Sequence, residues 1–284
     1  MTKLRLDLAL VDRGFAESRA KAQALIMAGQ VKVNGDVVIH PSEKVTERTL
    51  ISIERGPRFV SRGGEKLEAA IEAFQVKVTG QVCADVGAST GGFTDCLLQH
   101  GARRVFAIDV GKGLLAWKLR QDPRVEVMEE TNARYLTTLR EPVTLITVDA
   151  SFISLKILLP VVKNWFGKLS PLLVPNDTSG NEGRVAIVLI KPQFEAGRKE
   201  AAKGRGVIRD PAIHRQVLTN VLTGANEQGF ATRGLMCSPL LGPKGNVEFL
   251  AWLELSQIER GKLNSFIDQA MKGFPVSGGP PAEG

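Results

Sequence analysis

Cysteine and histidine are scarce in this chain, with three of each among 284 residues. No Cys-x-x-Cys pair occurs, so we expect neither a disulfide scaffold nor a structural zinc site, and we predict no bound metal. Hydrophobic runs are short, and none reaches the length that crosses a bilayer. The first residues become charged before any long apolar stretch, which argues against a secretory signal. These absences predict a cytoplasmic protein in a reducing compartment, without a membrane partner.

Positive charge exceeds negative charge over the whole chain. Lys and Arg total 37 against 30 Asp and Glu, which gives a net charge of +7. The composition is 43% hydrophobic and 24% charged, as in ordinary soluble globular proteins. The excess of basic residues points to an anionic partner, and nucleic acid is the commonest partner of that kind.

Residues 1–60 are predicted to form a small separate α+β domain. An apolar stretch ends at Arg13-Gly14, and Ser18 can cap a second helix that ends at Gly29. Asn34-Gly35 then stands between two short strand-like runs, which is a strong hairpin signal. Another short strand over Leu50–Ile53 completes the order helix, helix, hairpin, strand.

Residues 61–80 are predicted to hold a basic linker and the first helix of a second domain, Lys66–Phe74. Residues 81–258 then show an α/β pattern, because continuous apolar runs alternate with helical stretches. Residues 259–284 form a C-terminal segment whose Gly/Pro-rich end, Gly273–Gly284, is predicted to be disordered. Ser170–Arg184 is rich in Pro, Asn, Gly and Ser and is predicted to be an exposed insertion.

The α/β pattern predicts a mostly parallel central sheet covered by helices on both faces, as in Rossmann-like folds. The predicted strands are Val82–Val86, Val105–Ile108, Val125–Met128, Leu145–Val148 and Val185–Ile190, followed by Ala231–Met236 and Val247–Leu253. The predicted helices are Phe93–Gln99, Gly113–Leu119, Leu155–Trp165 and His214–Glu227.

A glycine-rich loop follows the first predicted strand of this sheet. It begins at Asp85 and contains Gly87, Ser89, Thr90, Gly91, Gly92 and Phe93. Its spacing differs from the Gly-x-Gly-x-x-Gly fingerprint of dinucleotide-binding proteins. A carboxylate just before the first glycine suits an ammonium group, such as that of S-adenosylmethionine, better than a pyrophosphate. The alternative interpretation is a glycine-rich turn without a ligand.

Polar residues also follow the next two strands. Asp109 comes 24 residues after Asp85, where an acid can accept hydrogen bonds from both hydroxyls of a ribose. A local capping role before Gly111 is an equal alternative. Asn132 is a candidate to contact an adenine, although an Asn that only turns the chain is the simpler interpretation.

Two further strands end in chemically useful residues, Asp149 and Lys191. Ligands of such sheets bind beyond the carboxyl ends of the strands, so Asp85, Asp109, Asp149 and Lys191 should share one crevice. Glu248 interrupts a late apolar strand, and its alternative is an acid on an edge strand facing water. Lys191 by itself is equally well explained as a surface Lys before Pro192.

The order of these motifs resembles the haemolysin A-type (TlyA) family of ribosomal RNA 2′-O-methyltransferases, whose catalytic domain is FtsJ-like. The resemblance covers roughly residues 3–255. It is carried by Arg5-Leu6-Asp7, Ser18-Arg19, Gly29–Gly35, Ser61–Leu67, Asp85–Thr94, Val148–Leu155, Ile190–Glu195, Gly204–Pro211 and Gly245–Glu248. The N-terminal domain is similar to the small RNA-binding domain that a ribosomal protein shares with many pseudouridine synthases.

The resemblance implies methylation of a ribose 2′-hydroxyl, on a cytidine of ribosomal RNA, with S-adenosylmethionine as the methyl donor. The catalytic tetrad of FtsJ-like enzymes falls on Lys66, Asp149, Lys191 and Glu248. Lys191 would hold or accept the hydroxyl proton, and the two carboxylates would fix its position. The implied partner is ribosomal RNA or a ribosomal subunit, and we expect the protein to be a monomer.

Two groups of basic residues are predicted to contact RNA phosphates. Arg5, Arg19, Lys21 and Arg62 lie in the N-terminal domain and the linker, whereas Arg205 and Arg209 lie in a second basic stretch, Arg198–Arg209. An evenly solvated basic surface is the alternative for the first group, and a solvated loop is the alternative for the second.

Two functions of other classes stay open at this stage. One is an RNA-binding factor without catalysis, against which the complete tetrad and glycine loop argue. The other is a pore-forming cytolysin, as the historical name of the family suggests, although the sequence offers no transmembrane segment and no clear amphipathic membrane helix. A dehydrogenase is weaker still, because the glycine spacing is wrong.

Overall fold

The computed structural model describes residues 3–54, 56–167, 184–197, 200, 204–256 and 262–273. The chain divides into two compact units, Met1–Arg58 and Phe59–Gly284. Of the predicted insertion only Arg184 is described, and of the predicted tail only Gly273. Residues 198, 199 and 201–203 of the second basic stretch also lie outside the described part.

The smaller unit is built from two short helices and two small antiparallel sheets. Ser18 accepts a hydrogen bond from the backbone N–H of Lys21, and so caps the second helix as the sequence predicts. Asn34 and Gly35 both have positive φ and form the predicted hairpin turn. The helices are Leu6–Asp12 and Arg19–Met27, and the strands are β1 (Leu4–Arg5), β2 (Val31–Val33), β3 (Asp36–Val37), β4 (Lys44–Val45) and β5 (Ile51–Ile53).

The larger unit contains one central sheet of seven described strands, in the order β11-β12-β10-β9-β6-β7-β8. Strands β6 to β10 run parallel, whereas β12 pairs antiparallel with both β10 and β11. This confirms the mostly parallel Rossmann-like sheet. The strands are β6 (Val82–Val86), β7 (Arg104–Ile108), β8 (Val125–Met128), β9 (Leu145–Val148), β10 (Val185–Ile190), β11 (Phe230–Cys237) and β12 (Phe249–Leu255).

Helices cover both faces of this sheet, because alternate residues of the buried strands point to opposite sides. Gly63–Phe74 and Gly92–Gln99 pack on one face, in a core that includes Cys83 and Leu145. Leu155–Val162, Pro211–Glu227 and Leu263–Lys272 pack on the other, in a core that includes Ala84 and Ile146. The sheet is thus buried between two layers of helices.

The sheet order reverses at β6, which lies between β7 and β9 although it comes first in the chain. Such a reversal opens a crevice beyond the carboxyl ends of the two central strands, since their following loops leave in different directions. Here these strands are β6 and β9, so the crevice falls at the glycine loop and at Asp149.

Several predicted elements differ in extent from the structure: the helix predicted over His214–Glu227 begins at Pro211, the helix predicted over Leu155–Trp165 ends at Val162, and the strand predicted over Val247–Leu253 is Phe249–Leu255. The helix predicted over Gly113–Leu119 is a shorter helix, Trp117–Arg120, because the backbone N–H groups of residues 113–115 bond to Glu129 instead. The predicted helix Lys66–Phe74 begins three residues earlier, at Gly63. Strand β12 is not an edge strand, since β10 and β11 flank it. Among the described residues, no helix is long and apolar enough to span a membrane.

Candidate active site

The glycine loop joins β6 to the helix Gly92–Gln99 and passes very close to the end of β9. Gly87 has a φ of +85°, and a Cβ built on it would lie 2.7 Å from the backbone oxygen of Asp149. Any side chain at this position would therefore collide with the backbone that carries Asp149. Because Gly87 has no side chain, the backbone after β6 can contact the backbone after β9 directly.

Asp85 lies beneath this loop and is fully buried. Thr94 Oγ1 donates a hydrogen bond of 2.7 Å to one of its carboxylate oxygens, and Thr147 Oγ1 donates one of 3.0 Å to the other. Burial raises the pKa of Asp85 to about 7, and the two hydroxyls oppose that rise. In the structure Asp85 thus connects the helix after the loop to strand β9 through hydrogen bonds. Its predicted contact with a ligand stays a prediction.

The first cavity lies beyond β6 and β7 and has a volume of about 300 Å³. Asp109 stands at its edge, where it accepts hydrogen bonds from the backbone N–H of Ser89 at 2.8 Å and of Gly111 at 2.7 Å. Asn132 also lines the cavity, but its side-chain oxygen accepts the backbone N–H of Arg134. Much of the remaining lining is apolar, from Ile108, Val110, Leu114, Ala133, Ile153 and Leu158.

Glu129 organises the loop that borders this cavity, and the sequence did not reveal it. Its carboxylate accepts the backbone N–H groups of Gly113 at 2.8 Å, Leu114 at 2.9 Å and Leu115 at 3.1 Å. It also pairs with the Arg120 guanidinium, which lowers the pKa of Glu129 to about 2 together with the backbone donors. A charged carboxylate therefore shapes the loop that carries Leu114 to the cavity wall.

The second cavity, of about 590 Å³, contains all four residues of the predicted tetrad. Lys191 Nζ lies 2.7 Å from Asp149 Oδ1, and Lys66 Nζ lies 2.6 Å from Glu248 Oε2. The structure thus brings together residues that are up to 182 positions apart in the chain. Gly87, Ser89, Asp149 and Ser151 line both cavities, so the two meet at the Lys191–Asp149 pair.

Lys191 is held by oxygen atoms from the segment that follows β9. Besides its ion pair with the Asp149 carboxylate, its Nζ donates hydrogen bonds to Ser151 Oγ at 2.9 Å and to the Asp149 backbone oxygen at 3.4 Å. Burial raises the pKa of Asp149, whereas the positive charge of Lys191 pulls it in the opposite direction. Lys191 is a cavity residue and not an exposed surface Lys, since only 11% of its side chain is accessible.

Glu248 directly precedes β12 and is buried, which rules out the alternative of a solvent-facing edge acid. Its carboxylate packs against the backbone of Gly242 and accepts a hydrogen bond of 3.3 Å from Gln193 Nε2. A buried carboxylate needs such partners, because an unpaired buried charge is strongly destabilising. Lys66 and Gln193 together supply them.

Glu195 and Phe152, which sequence reasoning missed, shape the segment after Asp149. Glu195 accepts a hydrogen bond of 2.6 Å from Ser154 Oγ and one of 2.8 Å from the backbone N–H of Leu155, where the next helix begins. Phe152 is 89% exposed and has a φ of +65°, a backbone region that bulky residues rarely adopt. Its ring lies 4.8 Å from that of Phe194, centroid to centroid.

The predicted RNA contacts are distributed over both units. In the smaller unit, Arg5 and Arg19 pair with the buried Asp7 at 3.0 and 2.9 Å, and the Arg5 guanidinium is the main reason that the pKa of Asp7 falls well below its usual range. Lys21 is exposed on the second helix of that unit. In the larger unit, Arg62 lines the second cavity, and Arg205 and Arg209 are exposed.

Among the described residues, no group of three or more His, Cys, Asp or Glu side chains is arranged to hold a metal ion. The three cysteines carry free thiols, and Cys83 and Cys96 are buried. The polar groups that converge at the strand ends are therefore carboxylates, amines, hydroxyls and backbone N–H groups.

Comparison with known proteins gives matches to both units. Residues 59–255 match the FtsJ-like methyltransferases, and residues 4–51 match the S4 domain. A candidate rRNA methyltransferase of Bacillus subtilis, YqxC, is 46% identical over 256 residues, which is 88% of this chain and 85% of the relative. The 16S/23S rRNA (cytidine-2′-O)-methyltransferase TlyA of Mycobacterium tuberculosis is 40% identical over 98% of this chain and 99% of the relative.

A solved structure also matches almost the whole chain. A candidate hemolysin from Streptococcus thermophilus is 39% identical, with a TM-score of 0.67, over 96% of this chain and 98% of that one. The family match covers more than half of the residues, and the two curated relatives align over most of their own length. The chain therefore belongs to the TlyA-type family of FtsJ-like methyltransferases, which carry an S4 domain before the methyltransferase domain.

Proposed function

We propose that the protein transfers the methyl group of S-adenosylmethionine to the 2′-hydroxyl of a cytidine ribose in ribosomal RNA. The observation that carries this proposal is the Lys191–Asp149 pair, which stands where the two cavities meet. A methyl transfer needs donor and acceptor on either side of such a point, with a group beside it that manages a proton.

The first cavity suits S-adenosylmethionine, on the evidence of its own lining. Asp109 presents a carboxylate for ribose hydroxyls, and the apolar wall near Leu114 and Ala133 suits an adenine. The glycine loop supplies close backbone contact at Gly87 and Ser89. When bound, S-adenosylmethionine supplies an electrophilic methyl group on a sulfonium.

The tetrad acts on the ribose in the second cavity. Lys191 Nζ holds or accepts the hydroxyl proton, and Asp149 and Ser151 hold that nitrogen in place. Lys66, paired with Glu248, positions the ribose or a neighbouring phosphate. A positioned amine is needed because a ribose hydroxyl is a weak acid and a poor nucleophile at neutral pH.

Ribosomal RNA as the substrate is supported by several independent features. The relative TlyA is named for cytidine 2′-O-methylation of 16S and 23S rRNA, and the smaller unit matches an S4 domain. Arg62 adds positive charge to the wall of the second cavity. The net charge of +7 favours an RNA partner, whether free rRNA or a ribosomal subunit.

Mapping of ribose methylation in ribosomal RNA tests this proposal. RNA from cells with the protein should carry a 2′-O-methylated cytidine that resists alkaline cleavage, and RNA from cells with the Lys191→Ala variant should lack it. A methylated base at that position would contradict the proposal. An unmethylated RNA that nevertheless binds the protein would favour the alternative of a non-catalytic RNA-binding factor.

A further inference from the structure

Asn246 is a buried amide that joins two loops next to the second cavity. Only 3% of the residue is exposed, and its side chain makes three hydrogen bonds to backbone groups. The side-chain oxygen accepts the N–H of Ile208 at 3.1 Å. The side-chain nitrogen donates to the backbone oxygens of Gly206 and Pro243, both at 2.9 Å.

The first of these loops is a tight turn that presents Arg205. The backbone N–H of Val207 donates to the oxygen of Gly204 at 3.0 Å, and Arg205 and Gly206 between them have φ of +52° and +86°. Two successive left-handed residues are typical of a type I′ turn. The Arg205 side chain is exposed at its tip, and Arg209 is exposed just after it.

The second loop forms part of the wall of the second cavity. Leu240, Leu241, Gly242 and Pro243 line that cavity together with Glu248. Asn246 also holds this loop through its backbone oxygen, which accepts the N–H of Gly242 at 2.8 Å. One amide side chain therefore ties the turn that carries Arg205 to the wall on which the Glu248 carboxylate packs.

We propose that Asn246 is a positioning residue that holds Arg205 against a phosphate of the RNA near the target ribose. This inference rests on the proposed function, since it assigns a role within RNA binding at the same site. A guanidinium fits a phosphate in a directed, bidentate manner, so its value depends on where the backbone turn points it. Arg205 alone, on a loose turn, would lose rotational and backbone freedom on binding and would contribute less.

The chemistry of the Asn side chain fits this position. An amide supplies one acceptor for the N–H of Ile208 and two donors for the oxygens of Gly206 and Pro243. A carboxylate at position 246 would face two backbone oxygens with no proton to share. An alanine would leave all three backbone groups without their partner, and the loss of these hydrogen bonds would destabilise the conformation of the two loops.

A double-mutant cycle on the full-length protein tests the inference. Arg205→Ala, Asn246→Ala and the double variant are assayed for methyl transfer to an rRNA transcript that the wild-type protein methylates. Each single variant should raise KM for RNA by about tenfold, with kcat and S-adenosylmethionine affinity within about twofold of wild type. The KM for RNA of the double variant should be no higher than that of the more impaired single variant, because both substitutions remove the same contact with the RNA.

Two further variants make the cycle decisive. Gly206→Ala places a residue with a side chain at a φ of +86° where nothing lies within 4 Å, so it disturbs the turn without a clash. When Gly206→Ala is combined with Arg205→Ala, the second change should add no further rise in KM for RNA. Gly206→Ala also serves in place of Asn246→Ala if that variant fails to fold. Arg103→Ala is the control, since Arg103 is an exposed cation just before the amino end of β7, whereas the cavities lie beyond the carboxyl ends of the strands, and the KM of this variant should not change.

Each double variant combines Arg205→Ala with Asn246→Ala or with Gly206→Ala. If the increase in KM for RNA in both double variants equals the product of the increases in the single variants, Asn246 and Gly206 act independently of Arg205 and the inference is overturned. An unchanged KM for Arg205→Ala would overturn it as well. Failure of the wild-type protein to methylate any rRNA would instead contradict the proposed function.

Discussion

Lys191 Nζ lies 2.7 Å from Asp149 Oδ1 and 2.9 Å from Ser151 Oγ, so the amine is held between a carboxylate and a hydroxyl of one loop. That loop follows β9, whereas Lys191 follows β10, and the two strands are parallel neighbours. The position of the amine therefore depends on the pairing of two strand ends and needs no contact from RNA.

Lys191→Ala should lower the rate of methyl transfer by roughly 10²–10⁴-fold, the usual effect of losing a positioned acid–base group. Binding of S-adenosylmethionine and of RNA should stay within a few-fold of wild type, because Lys191 contributes to the edge of the cavity and not to the core. Single-turnover rates and calorimetric binding measure the two effects separately.

Lys191→Arg is the matched variant for the proton-transfer role. A guanidinium keeps the positive charge and can reach Asp149, but it does not lose its proton near neutral pH. We expect it to be nearly as inactive as the alanine variant. A rate close to that of wild type would show that Lys191 acts only through its charge.

Glu129→Gln should weaken the binding of S-adenosylmethionine by about tenfold, because the loop bordering the first cavity loses a charged acceptor of three N–H groups. RNA affinity should not change. Glu141→Gln provides a control, since Glu141 pairs with Arg103 and Arg104 away from both cavities. Isothermal titration with S-adenosylhomocysteine measures the difference, and equal affinities for both variants would refute the role of Glu129.

Asp85 should make the stability of the protein depend on pH. Its folded-state pKa of about 7 lies above that of an unfolded Asp, so the folded state keeps the proton more strongly. The free energy of unfolding should therefore fall as pH rises from the unfolded value toward about 7, and level off above it. Over the interval from about pH 5 to about pH 8, the loss from this residue is on the order of 2–3 kcal/mol.

Asp85→Asn removes this titration while it keeps an oxygen and a nitrogen near the hydroxyls of Thr94 and Thr147. The free energy of unfolding of the variant should therefore rise relative to that of the wild-type protein as pH rises, because only the wild-type protein loses stability through Asp85. Urea unfolding at several pH values measures it. A constant difference across that range would show that the carboxyl does not hold a proton in the folded protein.

Phe152 should contribute to binding of the target nucleoside. An exposed ring on a left-handed backbone next to Asp149 is costly to maintain, and such strain tends to occur at functional sites. A flat exposed ring is also suited to stacking on a base. Phe152→Gly should lower kcat/KM for RNA by about tenfold while it slightly raises the melting temperature, since glycine relieves the backbone strain.

Phe152→Tyr keeps the ring and should retain most of the activity. If the glycine variant instead lost stability and kept its activity, the ring would serve packing against Phe194 and not the substrate.

Asp149 and Lys191 could be placed in one crevice from the sequence because each follows an apolar strand. Parallel strands gather their carboxyl ends at one edge of a sheet, so Asp149 and Lys191 had to be close. Glu248 was harder, because β12 runs antiparallel and places its first residue, not its last, at that edge. The family resemblance supplied it, together with Lys66.

Residues that shape loops were not visible in the sequence. Glu129, Glu195 and Asn246 each bond to backbone groups 14 to 40 positions away, and nothing in their local patterns marks those partners. The ligand contact of Asp85 stays a prediction, and the structure adds that the hydroxyl of Thr147 on the adjacent strand lies directly across from it. Only the strand pairing, which a single sequence does not give, places a donor there.

The contact between Gly87 and the backbone of Asp149 fixes one distance in the site, whereas the side chains that line the two cavities can vary. At that point the spacing between the two cavities is set by main-chain atoms, so it is the same whatever side chains surround it. Substitutions along either wall can change which nucleotide enters or how tightly the methyl donor is held. They leave the backbone contact between the two cavities unchanged.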